Sequence, residues 1–210
     1  MCIGDIHGRD IWKKIVERKN PNDIVVFAGD YFDSWDLSPE TQVQNFKEII
    51  MYQQTYENVI LLIGNHDFHY MESIGDYEKY SGWNRKTKDL IGNYLEICLK
   101  RGNLQMAYEK DGYLFTHAGV TKLWLKRAGL LTATNHSIVD DINNLFKKDV
   151  EHFRFAVGTD PYGDDPRSSP IWVRPKSLSE NQIEGLNQVV GHTKYSSIEI
   201  SPKAPHLIFV

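Results

Sequence analysis

Three apolar runs in this 210-residue chain end in glycine and pass at once into polar side chains. Met1-Cys2-Ile3 runs into Gly4-Asp5-Ile6-His7-Gly8. Ile24 to Ala28 runs into Gly29-Asp30-Tyr31-Phe32-Asp33, and Val59 to Ile63 runs into Gly64-Asn65-His66-Asp67. Short continuous apolar runs are what strands buried on both faces of a parallel sheet require. Helical patterns separate them. Asp10 to Lys19 groups Ile11, Trp12, Ile15 and Val16 on one side and stops at Asn20-Pro21. Ser38-Pro39-Glu40 is a helix start, with a capping hydroxyl, proline at the first helical position and an acid in the first turn. Val43, Phe46, Ile49 and Ile50 form the apolar face of that helix. Strand–helix–strand of this kind predicts an α/β fold with a mostly parallel sheet.

Further along, Arg85 to Lys100 predicts a helix. Leu104 to Tyr108 and Tyr113 to Thr116 flank Asp111-Gly112, which predicts a hairpin. Helical patterns follow over Thr121 to Arg127 and Ser137 to Lys148. Gly158 to Ser169 is rich in Gly, Pro and Asp and predicts a loop. Gln188 to Gly191 predicts a strand, and Ile198 to Ile200 with Leu207 to Val210 a last hairpin. No linker interrupts the chain, so one domain is expected over 1–210. Both ends are abrupt, which raises the expectation of a chain trimmed at both.

Composition excludes several classes. With 41% hydrophobic and 25% charged residues the chain is not disordered. No apolar run nears the ~20 residues of a membrane span, and the amino terminus lacks the pattern of a signal peptide. Cys2 and Cys98 make neither a disulfide framework nor a Cys-x-x-Cys knot, so a reducing, cytoplasmic setting is expected. The net charge of −4 argues against a surface devoted to nucleic acid, though not against a local positive pocket.

In an open parallel sheet the carboxyl ends of the strands share one edge, and ligands bind there. Asp5, His7, Asp30, Asp33, Asn65 and His66 are therefore expected to converge. Two later strands also end in histidine, at Thr116-His117-Ala118-Gly119 and Val190-Gly191-His192-Thr193. The pooled carboxylates, amide and imidazoles suit Mn²⁺, Fe or Zn²⁺ and include no thiolate. They are too many for one tetrahedral site and suit two ions about 3.5–4 Å apart. A lone histidine is usually a surface or core residue, and His69, His136, His152 and His206 are read so. Gly-Asp-x-His-Gly should occur by chance in about one chain of this length in a thousand. Finding it ahead of Gly-Asn-His-Asp, each after an apolar run, makes coincidence a poor explanation.

These segments resemble the calcineurin-like metallophosphoesterases, most closely the phosphoprotein phosphatase branch, in order from Gly4 to His192. The resemblance implies a four-layer αββα sandwich of two mixed sheets flanked by helices. It implies two divalent transition-metal ions, Mn²⁺ first, with Fe, Zn²⁺ or Ni²⁺ as alternatives. Asp5 and His7 would hold the first ion, Asp30 would bridge, and Asn65, His117 and His192 would hold the second. His66 would be the general acid, oriented by Asp33. The implied activity is hydrolysis of phosphate monoesters by a metal-bridging hydroxide, as a Ser/Thr or dual protein phosphatase. A nucleotide or dinucleoside polyphosphate phosphohydrolase is the alternative, and a non-catalytic module on the same fold is a third.

One departure stands out. The branch carries arginine after the second Asp of its second motif, and this chain has Ser34. A hydroxyl cannot supply a charged bidentate fork. Arg174 is the first candidate to replace it as a phosphate ligand, beside Asn65 and Ser34, with Arg154 and Arg167 as alternatives. Tyr31, Phe32 and Trp35, with Tyr70, Tyr77, Tyr80 and Trp83, are candidates to line the pocket mouth. The expected partners are a phosphorylated protein, peptide or small phosphate ester. No membrane or nucleic acid is expected, and the protein is expected to be a monomer.

Overall fold

The computed structural model describes residues 1–75, 78–131, 137–155, 160, 162–201, 204 and 206–210. They form two compact units, Met1–Gln105 and Met106–Val210.

The first unit runs β1 (Cys2–Ile3), α1 (Trp12–Val16), β2 (Val25–Phe27), α2 (Pro39–Thr55), β3 (Val59–Leu62), α3 (Asn65–Phe68), α4 (Arg85–Lys100) and β4 (Leu104–Gln105). Its four strands lie in chain order and every pairing is parallel, with Cys2 opposite Val26, Val26 opposite Ile60 and Leu61 opposite Leu104. The sheet is thus purely parallel, where a mixed one was expected. Val25, Val26 and Phe27 are fully buried, as the continuous apolar run requires.

Helix α2 begins as its sequence dictates. Ser38 Oγ accepts from Thr41 N at 3.2 Å, and Pro39 fills the first position, where no amide donor is needed. Its buried face is Val43, Phe46, Ile49 and Ile50, each worth roughly 1.5–3 kcal/mol of burial. Phe46 meets Tyr94 of α4 with ring centroids 6.2 Å apart. Helix α1 is shorter than its pattern suggested. Trp12 is buried and bonds Asn45 at 3.0 Å, but Ile11 is exposed, since one turn of helix cannot carry both onto the sheet.

The second unit runs β5 (Ala107–Lys110), β6 (Tyr113–Thr116), α5 (Lys122–Arg127), α6 (Ile138–Lys148), α7 (Pro175–Glu180), β7 (Asn187–Val190), β8 (Glu199–Ile200) and β9 (Leu207–Phe209). Its sheet has the order β5-β6-β7-β9-β8, with hairpins at both edges and parallel pairing at β6–β7 and β7–β9. The β5–β6 turn has positive φ at both Asp111 and Gly112, as an Asp-Gly hairpin needs. The single strand expected over Leu104 to Tyr108 is two, because Leu104–Gln105 pairs with β3 and Ala107–Lys110 with β6. Between them Asn143 of α6 takes over the pairing. Its side chain accepts from Met106 N and Ala107 N and donates to Ala107 O. Helix α7 was not anticipated, although Pro175 at its first position is a start signal.

Each unit is a sheet with helices against it, which is the α/β class expected. No helix among the described residues is long and apolar enough to cross a membrane. Cys2 and Cys98 are both free thiols.

Candidate metal centre

In the first unit the loops after β1, β2 and β3 leave the same edge of the sheet, and they are bound to each other. Ile6 N and His7 N donate to Asp30 O at 3.0 and 2.7 Å, and Gly8 N to Tyr31 O at 2.8 Å. Asp67, only 1% exposed, accepts from three backbone amides: Asp30 N and Gly64 N at 2.8 Å and Tyr31 N at 2.7 Å. One carboxylate thereby ties the second loop to the third. Asp30 Oδ1 in turn accepts from His66 N at 2.9 Å. This closeness explains Gly64, since a Cβ there would lie 2.1 Å from Asp30 Oδ1.

Among the described residues, the non-glycine residues with left-handed backbone are His7, Asp30, Asp33, Asp111 and His192. All but the hairpin residue Asp111 are site candidates. Each such conformation costs about 1–3 kcal/mol and persists only where surrounding bonds impose it, most often at functional sites. Asp5, His7 and Asp30 each offer a ligand atom, all within 4.8 Å of one another. His7 Nδ1–H donates to Phe32 O at 2.6 Å, which leaves the Nε2 lone pair for a ligand.

His66 lies beside this cluster, its ring edge-on to His7 with centroids 5.3 Å apart. Its Nδ1–H donates to Asp33 Oδ2 at 2.6 Å; the imidazole is 20% exposed and the carboxylate 1%. Tyr70 donates its hydroxyl to Asp33 Oδ1. His69 Nδ1 accepts from Tyr80 N at 3.2 Å, so its Nε2 carries the proton. That nitrogen is 2.8 Å from Asp33 Oδ2 but is poorly aligned for a hydrogen bond, so the contact is chiefly electrostatic. Burial alone would raise the Asp33 carboxyl, but the contacts from His66, His69 and Tyr70 outweigh it and hold it below the usual carboxylate range. Burial pushes the His69 imidazole down and, with the Asp33 charge, the Tyr70 phenol well up. Lys88, buried in α4, fixes this segment by donating to Tyr70 O at 3.0 Å and Met71 O at 2.8 Å.

In the second unit Phe115 pairs with Val189, so β6 and β7 deliver His117 and His192 to one edge. Gly191 N donates to His117 O at 2.8 Å. His117 Nε2 and His192 Nδ1 face each other at 3.2 Å, and His192 Nε2–H donates to Trp172 O at 3.1 Å. Arg174 Nη1 donates to His192 O and Thr193 Oγ1, both at 3.1 Å, and Nε to Tyr162 O at 2.8 Å.

A family model for calcineurin-like phosphoesterases matches residues 1–193. The chain belongs to the calcineurin-like phosphoesterase family. Two solved structures share the fold of this chain. One is a protein serine/threonine phosphatase from Saccharomyces cerevisiae, 14% identical, with a TM-score of 0.53 over 100% of this chain and 65% of that one. The other is a cold-active protein-tyrosine phosphatase of a psychrophilic Shewanella species, 17% identical, with a TM-score of 0.59 over 100% of this chain and 69% of that one. The chain spans less than two thirds of the yeast protein. No curated protein matches it.

The donor set fits a divalent ion: buried carboxylate and amide oxygens and an imidazole whose outer nitrogen is bonded to a carbonyl. Other expectations change. Tyr31, Phe32 and Tyr70 are fully buried core residues rather than a pocket mouth. Tyr80 stacks on His69, and Trp83 stacks on Tyr70. Among the described candidates Trp35, 81% exposed, is the most open as a platform, and Tyr77 and His136 lie outside the described residues. Ser34 Oγ donates to Asp36 Oδ1 at 2.7 Å, and its N to Gln42 Oε1 at 3.0 Å. His69, read as an ordinary core histidine, joins the Asp33 network. The sequence reading also missed the tasks of Asp67, Tyr70 and Lys88. Asp67 belongs to the Gly-Asn-His-Asp motif, so its place was visible though its three amide partners were not.

Proposed function

We propose that this chain is a dinuclear-metal phosphatase acting on phosphate monoesters, with 1–210 working as a single αββα domain. The observation that carries this reading is the acid pair. His66 is held by Asp33 at 2.6 Å and edge-on to His7 of the Asp5–His7–Asp30 cluster. Asp5, His7 and Asp30 would hold one ion, and Asp30, Asn65, His117 and His192 the other. Bound divalent ions supply Lewis-acid polarisation of the phosphoryl oxygens and lower a water's pKa, to roughly 7 for zinc. Oxygen and nitrogen donors without thiolate favour Mn²⁺, with Fe, Zn²⁺ or Ni²⁺ as alternatives.

The protein's own part is positioning and proton delivery. Asp33 accepts the Nδ1–H of His66, which turns Nε2–H towards a departing oxygen and stabilises the imidazolium before transfer. Asn65 and Arg174 would contact the phosphoryl oxygens, Arg174 also setting the backbone of His192 through its carbonyl.

The burial of Tyr31, Phe32 and Tyr70 removes most of the flat surface a nucleobase would need. That favours a Ser/Thr or dual protein-phosphatase substrate. Trp35 keeps a nucleotide or dinucleoside polyphosphate as the second reading. We place the enzyme in the cytoplasm, a reading supported by its free thiols, and read it as a monomer.

The test is a screen of phosphopeptides, mononucleotides and dinucleoside polyphosphates, each with Mn²⁺, Zn²⁺, Ni²⁺ and Mg²⁺. Phosphopeptide turnover is expected to lead. Faster nucleotide turnover would install the second reading, and no turnover with a fully metal-loaded chain would reject both.

A further inference from the structure

Position 34 lacks a guanidinium, yet the structure brings one to its side. The chain turns sharply after β1, with left-handed backbone at His7 and Gly8, and Arg9 N closes the turn on Ile6 O at 3.0 Å. The Arg9 side chain then reaches across to the second loop. Its Nη2 donates to Asp36 Oδ1 at 3.0 Å, the same oxygen that accepts from Ser34 Oγ at 2.7 Å. Two donors on one oxygen are neighbours in space. Arg9 therefore stands beside Ser34, and Asp36 tethers it.

Arg9 also lines a cavity of about 170 Å³ with His7, Asp33, Trp35, His66 and Ser81. On its other side it borders a larger groove of about 620 Å³ that includes Asp36 and Glu40. Its Nη1 makes only a long 3.5 Å contact with His7 O, and among the described residues Nε has no protein acceptor. The other arginines considered are differently placed. Arg154 Nε is paired with Glu151 at 2.7 Å, and Arg167 holds both oxygens of Asp165.

We propose that Arg9 clamps phosphate in addition to Arg174, supplying from the first loop the guanidinium that Ser34 lacks, with Asp36 as its tether. The proposal rests on the phosphatase reading above. The arrangement suits the chemistry. Asp36 holds one edge of the planar group, and the remaining donors present a fork to the oxygens of a phosphate seated against His7 and His66. A tethered arginine also loses less side-chain freedom on binding than an untethered one.

The probe is inorganic phosphate, titrated into the Mn²⁺-loaded full chain by calorimetry, with metal content and circular dichroism measured alongside. Arg9→Ala, and Arg9→Gln to preserve the stem, are expected to weaken phosphate at least tenfold with metal content and fold unchanged. Turnover of p-nitrophenyl phosphate should fall in parallel. Phosphate affinity within twofold of the wild type in both variants, or no phosphate binding by the wild type, would overturn the proposal. The phosphatase reading fails separately: a wild type that binds phosphate through Arg9 but turns over no ester would sink that reading and leave the clamp.

Discussion

Asp33 Oδ2 accepts the Nδ1–H of His66 at 2.6 Å while its other oxygen takes the hydroxyl of Tyr70. The carboxylate is thereby immobilised from two sides, and Nε2 is the imidazole nitrogen that Asp33 does not engage. If this pair delivers the proton, His66→Asn should leave metal content near normal and lower kcat for alkyl phosphates by roughly 10²–10⁴. The loss should shrink for p-nitrophenyl phosphate, whose leaving group scarcely needs a proton. Equal losses on both substrates would reject the role.

If Asp30 bridges two ions and Asn65 holds only one of them, substitutions at the two positions should differ in metal content. Asp30→Asn is expected to lower the content of both metals and abolish activity. Asn65→Ala or His192→Ala should lower one equivalent only. Metal analysis finding two full equivalents in Asp30→Asn would reject the bridging assignment.

Asp67 tests the scaffold rather than the chemistry. Asp67→Asn replaces one acceptor oxygen with a donor that faces backbone N–H groups in a buried site. A loss of about 3 kcal/mol is expected from the unmet bonds, read as a lower urea midpoint at constant slope. An unchanged midpoint would mean the loops hold without this clamp.

His69 and Asp33 make the metal-free chain acid-sensitive. Both have folded-state pKa values below their ordinary ones. Each therefore contributes stability that is present above its unfolded pKa and lost as pH falls through its folded one. For the imidazole the loss starts as pH drops below about 6.5. The urea midpoint of the metal-free protein should be lower at pH 5.5 than at 7.5, and His69→Gln should flatten that difference. An equal drop in the variant would assign the sensitivity elsewhere.

The candidate site was legible in the chain because strands buried on both faces must be continuously apolar, and their carboxyl ends must carry the polar residues. Val25–Phe27 and Val59–Leu62 could be read from apolar runs, as could the candidate ligand positions that follow them. Helices α2 and α4 were legible because capping and 3.6-residue periodicity are local properties.

What the residues do for each other was not legible, since it depends on contacts between segments far apart in sequence. Nothing local says that Asp67 clamps the loop of Asp30, that Tyr70 and His69 turn inward onto Asp33, or that Tyr31 and Phe32 face the core. Nor does it show that the strand after Leu104 passes from one sheet to the other. Arg9 is the sharpest case. Its neighbours in sequence mark it as a charge just after a turn, and only the shared oxygen of Asp36 sets it beside Ser34. Periodicity and strand-end chemistry marked which residues are candidates for the site. Long-range hydrogen bonds and backbone held at positive φ decided how each one is aimed, because those energies exist only once distant segments meet.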